Sequence, residues 1–299
     1  MICVPYAPGP GEILVIISGA DPKLLFTMLD LPNEMLSSTL KHLTLKDLLS
    51  ISATCRRLEG ITEPLRYSAV KIGSDTAADS FLQEVKIAPQ RAQWVKSFTV
   101  TIDRKRYAPC LIRILPTFTN LQVLDLVQTS ATPEVVGSLG ALEFANLRTL
   151  RATVKKQTLV VVSGFLRTHP HLTEIVLKMC YEGALLDGLD PSTELLIERI
   201  NLPKLKAFGG LGTFVCSLVC PDKTVNAVNL YIPYGRDAAR TVGWLGAIAS
   251  IESLSLTLSM DDSDGIPWKA LGQLLPGLVE LSLEGVSTSW KCSSFVKAS

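Results

Sequence analysis

The side chains that could do bond chemistry are few, and their spacing suits none. His169-Pro170-His171 looks like a metal-binding fragment, but it lacks a helix-spaced partner ligand and precedes an apolar strand phrase. Cys216 and Cys220 are four residues apart and could share a helix face, yet no further ligand lies near, so they read as buried thiols. Gly209-Gly210-Leu211-Gly212 lacks the lysine and hydroxyl pair of a phosphate-cradling loop, and a tight loop is expected there. Asp261-Asp262-Ser263-Asp264-Gly265 starts like a calcium loop without the glutamate that should follow, and reads as a surface turn. Neither a Walker loop nor a Gly-x-Ser-x-Gly elbow occurs. The expectation is a protein that is not an enzyme, with no catalytic residue, no metal and no cofactor.

What remains is binding, and composition narrows the partners. Lys plus Arg number 29 against 28 for Asp plus Glu, so no global field draws in nucleic acid or anionic lipid. No apolar run approaches the ~18 residues of a membrane span. The short patch Ile13–Ile17 lacks a basic flank, so residues 1–23 read as a flexible leader or a strand that docks locally rather than a signal segment. Seven cysteines, an odd number without a Cys-x-x-Cys, fit free thiols in a reducing compartment, cytoplasmic or nuclear.

The elements that must do the binding begin at residues 24–67, where leucines crowd into a short helical stretch. Leu31-Pro32 opens a helix, since proline is tolerated in a first turn, and Glu34 sits near the positive end of its dipole. Leu36, Leu40 and Leu43 follow at spacings that place them on one face. Thr44-Leu45-Lys46-Asp47 reads as a capping box for a second helix carrying Leu48, Leu49, Ile51, Ser52 and Cys55. Arg56 and Arg57 are expected at its end, where cations suit the dipole, and Gly60 and Pro64 at the exit. About forty residues cannot bury that much apolar surface alone, so the module is built to dock.

Leu31-Pro32-x-Glu34, then Leu40 and Leu43, then Asp47-Leu48-Leu49, then Cys55-Arg56-Arg57-Leu58 follow in order and without gaps, and the stretch resembles an F-box. Thr39 stands where that family usually has isoleucine, and Tyr67, after Leu65, replaces the usual tryptophan. The resemblance implies binding to the Skp adaptor and, through it, to the cullin of a ubiquitin ligase. It places Leu31, Pro32, Glu34, Met35, Leu40, Leu43, Leu48 and Leu49 facing the adaptor or ordering the face that does. Cys55 and Leu58 would stand at the helix junction.

Beyond residue 90 one phrase returns: apolar, two variable, apolar, one variable, apolar. It starts at Leu121, Leu147, Leu172, Ile251 and Leu278, with weaker copies at Val95, Leu205 and Val225. The steps are 26, 26, 25, 33, 20, 26 and 27 residues, and the stretch 184–245 fits least well. Pro133–Leu142 and Thr158–Arg167 carry helical periodicity between strands. The phrases resemble leucine-rich repeats of the variable-length kind found after F-boxes. The expected fold is therefore α/β: a three-helix F-box over 24–67, then a leucine-rich-repeat solenoid over 68–299 with parallel strands on the concave side and helices outside. The tail STSWKCSSFVKAS reads as too short and polar for a full capping unit.

In such a stack the variable positions of neighbouring strands align. One row would hold Lys96, Gln122, Arg148, Thr173, Asn226, Glu252 and Val279; a second would hold Thr99, Asp125, Arg151, Val176, Asn229, Ser255 and Ser282. From these, Lys96, Gln122, Asp125, Arg148, Arg151, Thr173 and Asn229 are the candidate contacts to a protein target. The rows lack the basic density and aromatics of a nucleic-acid groove. Arg148 and Arg151 could take a phosphate, although Asp125 on the next strand is the simpler partner for Arg151. The function that follows is a non-catalytic substrate receptor of a Skp–cullin–F-box ubiquitin ligase. The alternative is an F-box and leucine-rich-repeat scaffold outside ubiquitin transfer.

Overall fold

The structure is a computed structural model. It describes residues 31–101, 113–126, 138–154, 158–179, 200–211, 225–232, 241, 243–246, 248, 250–258, 273–285 and 294–297. Ile13–Ile17, the N-terminal part of the 24–67 stretch, the helix start at Thr132-Pro133, Cys216 with Cys220, and Asp261–Gly265 lie outside the described residues.

Among the described residues the chain begins with the helices α1 (Asn33–Leu40), α2 (Leu45–Ser52) and α3 (Arg56–Tyr67). Pro32 caps α1 with extended backbone, and Glu34 sits in the first turn. Thr44 caps α2 through a reciprocal box: its hydroxyl accepts from Asp47 N–H, and the Asp47 carboxylate accepts from Thr44 N–H, each at 3.3 Å. Leu36, Leu40, Leu48 and Leu58 close into a core of their own, with Leu31, Ile51, Cys55, Ile61 and Leu65 packed around it.

Three local expectations need correcting. Leu43 lies past the end of α1, in the link to α2, so it does not continue the Leu36–Leu40 stripe. Arg56 and Arg57 open α3 rather than close α2, because the chain turns at Ala53–Cys55. Arg57 is held there by the Leu31 carbonyl at 2.6 Å and Asn33 Oδ1 at 3.0 Å, which ties the start of α3 to the start of α1. Gly60 and Pro64 do not end the helix; α3 runs through both to Tyr67. An interior proline costs about 3 kcal/mol. The packing of Ile61 and Leu65 on one core and Tyr67 on the next offsets it.

Beyond them the described residues build a ten-stranded sheet in which the strands lie in chain order. They are β1 (Ala69–Ile72), β2 (Ser97–Val100), β3 (Val123–Leu126), β4 (Thr149–Val154) and β5 (Glu174–Met179), then β6 (Ala207–Leu211), β7 (Ala227–Ile232), β8 (Ser253–Leu258), β9 (Glu280–Gly285) and β10 (Ser294–Lys297). β1 to β9 are parallel and β10 is antiparallel, so the polar tail covers the β9 edge with a strand. Helices α4 (Asp75–Ile87), α5 (Gln90–Gln93) and α6 (Leu159–Thr168) fill crossovers.

Each recurring phrase is a strand with its lead-in. In the copy at Val95 the three apolar positions, Val95, Phe98 and Val100, are all fully buried. The same positions at Leu121, Leu147, Leu172, Val225 and Ile251 are buried too, so the triplets form one continuous core. At the far end Leu278, Leu281 and Leu283 are half-buried.

The copy at Leu205 breaks the pattern. Gly209-Gly210-Leu211 is not a tight loop: it is part of β6, paired with β5 and β7. Gly210 takes the inward place that leucine holds in β5, β7, β8 and β9. Its φ is +148°, and a Cβ there would stand 2.4 Å from the Leu177 carbonyl oxygen, so only glycine lets the two strands approach.

Helix α3 belongs to both cores: Leu58 is buried in the helical module and Tyr67 in the core of the sheet. The Tyr67 hydroxyl donates to Glu84 of α4, and burial, with that carboxylate, pushes the phenol up to about 12. Arg91 of α5 lies 5.0 Å from the Tyr67 ring centroid and bonds Glu63 of α3 at 2.9 Å. The module is thereby stapled to the first crossover of the sheet.

Candidate functional site

Two surfaces stand out, one on each core. On the helical module, Met35, Leu43, Leu45 and Leu49 are 55%, 37%, 58% and 45% exposed, although the module has its own closed interior. Leu45 and Leu49 are one turn apart on α2 and share a face. Pro32 and Glu34 are exposed beside Met35, and Leu31 and Cys55 are half-buried. Leu40, Leu48 and Leu58 point inward and order the surface without being part of it. Sequence reasoning left out Leu45; its spacing of four from Leu49 was the available signal.

The second surface is the solvent side of the sheet. The register aligns Lys71, Thr99, Asp125, Arg151, Val176, Gly209, Asn229, Ser255 and Ser282 in one row. At the strand entrances a hydrogen-bonded ladder of 2.7–2.9 Å joins Lys96, Gln122, Arg148, Thr173, Lys206, Asn226, Glu252 and Val279 in another. Lys206 and Gly209 were missing from the rows read off the sequence, because the weak copy at Leu205 was not carried into them.

Arg151 is engaged, and its main partner is not Asp125. Its Nε and Nη2 both reach Glu174 Oε1, at 3.1 and 2.8 Å, while Nη1 is 4.0 Å from Asp125 Oδ2. Glu174 occupies the first variable strand position, which the two sequence rows skipped. Two carboxylates already meet the guanidinium, so it is not a free phosphate acceptor. Around it a trough of about 640 Å³ runs over Ala207, Gly209 and Ala227, bounded by Arg151, Val176 and Asn229.

His169 is structural. Phe144 N–H donates to Nε2 at 2.9 Å, which leaves the ring proton on Nδ1 to bond the Phe165 carbonyl at 2.7 Å. Both nitrogens are used, and His171 is exposed in the adjoining turn. Burial pushes the imidazole below its ordinary 6.5, against the opposite pull of the Phe165 carbonyl and Glu143. The folded protein therefore holds His169 neutral where the unfolded chain binds a proton. This stabilisation is complete above the ordinary value and is lost as pH falls through the folded one. His169→Phe should remove this part of the pH dependence of the melting temperature. It should also lower stability at pH 8 by about 1–3 kcal/mol, because the Phe144 N–H loses its acceptor. Parallel melts from pH 8 to 5 check both.

The helical module is followed by an in-order, mostly parallel sheet with crossover helices, an α/β architecture. Residues 28–63 match the family model described as F-box domain. This domain indicates a role in adaptor binding within ubiquitin ligases. No curated protein matches the chain. Among the described residues no helix is long and apolar enough to cross a membrane.

Proposed function

We propose that this chain is the substrate receptor of a Skp–cullin–F-box ubiquitin ligase. The F-box grips the Skp adaptor through Met35, Leu43, Leu45 and Leu49, with Leu31, Pro32, Glu34 and Cys55 at the margin. The repeats form a leucine-rich-repeat solenoid whose strand face holds a client protein. The observation that carries this reading is the module's double use of leucine: four close its interior while Leu43, Leu45 and Leu49, with Met35, stay in solvent. Exposed aliphatic anchors on a small rigid support are what a hot-spot interface needs. The receptor does no bond chemistry; it raises the local concentration of client lysines beside the charged ubiquitin carrier.

The test separates docking from folding. Met35→Ala with Leu49→Ala should weaken adaptor binding by about 2–4 kcal/mol, roughly 30- to 1,000-fold, with little change in the melt. Calorimetry against purified adaptor reads the first and circular dichroism the second. Unchanged affinity would remove the docking assignment. Co-purification of cullin, and ubiquitin transfer to a captured client, distinguish a receptor from a scaffold.

A further inference from the structure

The entrance row of the sheet alternates in a way no repeat consensus requires. Lys96, Arg148 and Lys206 precede β2, β4 and β6; Gln122, Thr173 and Asn226 precede β3, β5 and β7. Lys96, Arg148 and Lys206 are exposed, and among the described residues none has an ion-pair partner. The carboxylates nearest in register, Asp125 and Glu174, lie against Arg151 instead. The alternation stops at Glu252, before β8.

Adjacent strands are about 4.8 Å apart, so cations on every second strand are about 9.6 Å apart. A chain in the polyproline II conformation rises 3.1 Å per residue and turns once in three residues. It therefore presents the same side about every 9.3 Å, close to the spacing of the cations. An extended β-strand ligand would turn alternate residues away and miss it. The trough over Ala207, Gly209 and Ala227 includes the strand residue that follows Lys206 and has room for a side chain.

We infer that this face binds an extended acidic polypeptide segment, lying across the strands with carboxylates at every third residue over Lys96, Arg148 and Lys206. Gln122 and Thr173 meet the backbone between them, and Glu252 repels a further acid and sets the end of the register. This deepens the receptor reading and rests on it, since the segment is a part of the client. A polypeptide suits the row better than nucleic acid because the cations are interleaved with the neutral groups Gln122 and Thr173, and the carboxylates Asp125 and Glu174 lie on the neighbouring strand positions.

The test uses the full chain and three labelled peptides of equal length. One has Glu at positions i, i+3 and i+6, one has the three Glu adjacent, and one has Lys replacing Glu. Fluorescence anisotropy should show binding of the spaced acidic peptide that weakens as salt rises. Binding of the adjacent-Glu peptide should be clearly weaker, and the Lys peptide should not bind. Lys96→Glu with Arg148→Glu and Lys206→Glu should weaken the spaced peptide about tenfold or more. Equal binding of spaced and adjacent peptides, no effect of the triple variant, or tighter binding of a single-stranded oligonucleotide would each overturn the inference. Adaptor capture by the unmodified chain and by the triple variant is measured alongside. Absence of capture by the unmodified chain would count against the receptor reading alone, leaving the peptide result to stand or fall separately.

Discussion

Gly210→Ala should destabilise the protein by about 3 kcal/mol or more, whereas Gly209→Ala, one residue away, should change stability by less than about 1 kcal/mol. At Gly210 the backbone has a φ of +148°, and the added methyl would meet a main-chain oxygen of β5 at 2.4 Å. That oxygen cannot withdraw without opening the β5–β6 ladder. At Gly209 the nearest atoms are Val176 Cγ2 and the Asn229 carbonyl oxygen, both at 3.4 Å, and the valine can yield. Urea titration of the two variants should give midpoints far apart at similar slope. Equal midpoints would show that β5 and β6 do not need the close approach.

Leu48→Ala should have a comparable cost confined to the other end of the molecule. Truncating a buried leucine costs about 2–5 kcal/mol, and among the described residues the other buried members of that core are Leu36, Leu40 and Leu58. A module of this size has little stability in reserve. The expected outcome is local: amides of α1 and α2 lose hydrogen-exchange protection while those of β2 to β5 keep it. Adaptor binding disappears with the fold. Leu49→Ala is the contrast, because its side chain is 45% exposed and the interior survives its loss. If α1 and α2 stay protected in Leu48→Ala, the four-leucine core does not hold the module together.

The sequence made the sheet register legible for a physical reason. A phrase such as Leu121-Gln122-Val123-Leu124-Asp125-Leu126 specifies at once that the segment is a strand and which residues point inward, so one aligned leucine aligns the whole row. Asp125 beside Arg151 followed from that alone. Glu174 did not, because the diagonal reach of an arginine depends on side-chain length, not on register. β1 was invisible because Ala69-Val70-Lys71-Ile72 buries only Ile72 and carries no leucine phrase. β6 was misread because its two glycines signal a turn in isolation, and only the neighbouring Leu177 carbonyl explains why a strand needs one there. On the helical module the motif residues divide between inside and outside. Leu48 and Leu49 are adjacent in sequence and opposite in role. The continuation of α3 through Pro64 was likewise a decision of packing, taken by contacts that no local rule contains.

Since Leu58 and Tyr67 are set in different interiors by one uninterrupted helix, α3 acts as a gauge block with a fixed phase as well as a fixed length. Nine residues of helix span about 14 Å, and each added residue advances the far end by about 1.5 Å and 100°. An insertion between them that spared every leucine would still point the strand face in a new direction. The spacing of these two residues is thus a specification in its own right, independent of what either one touches.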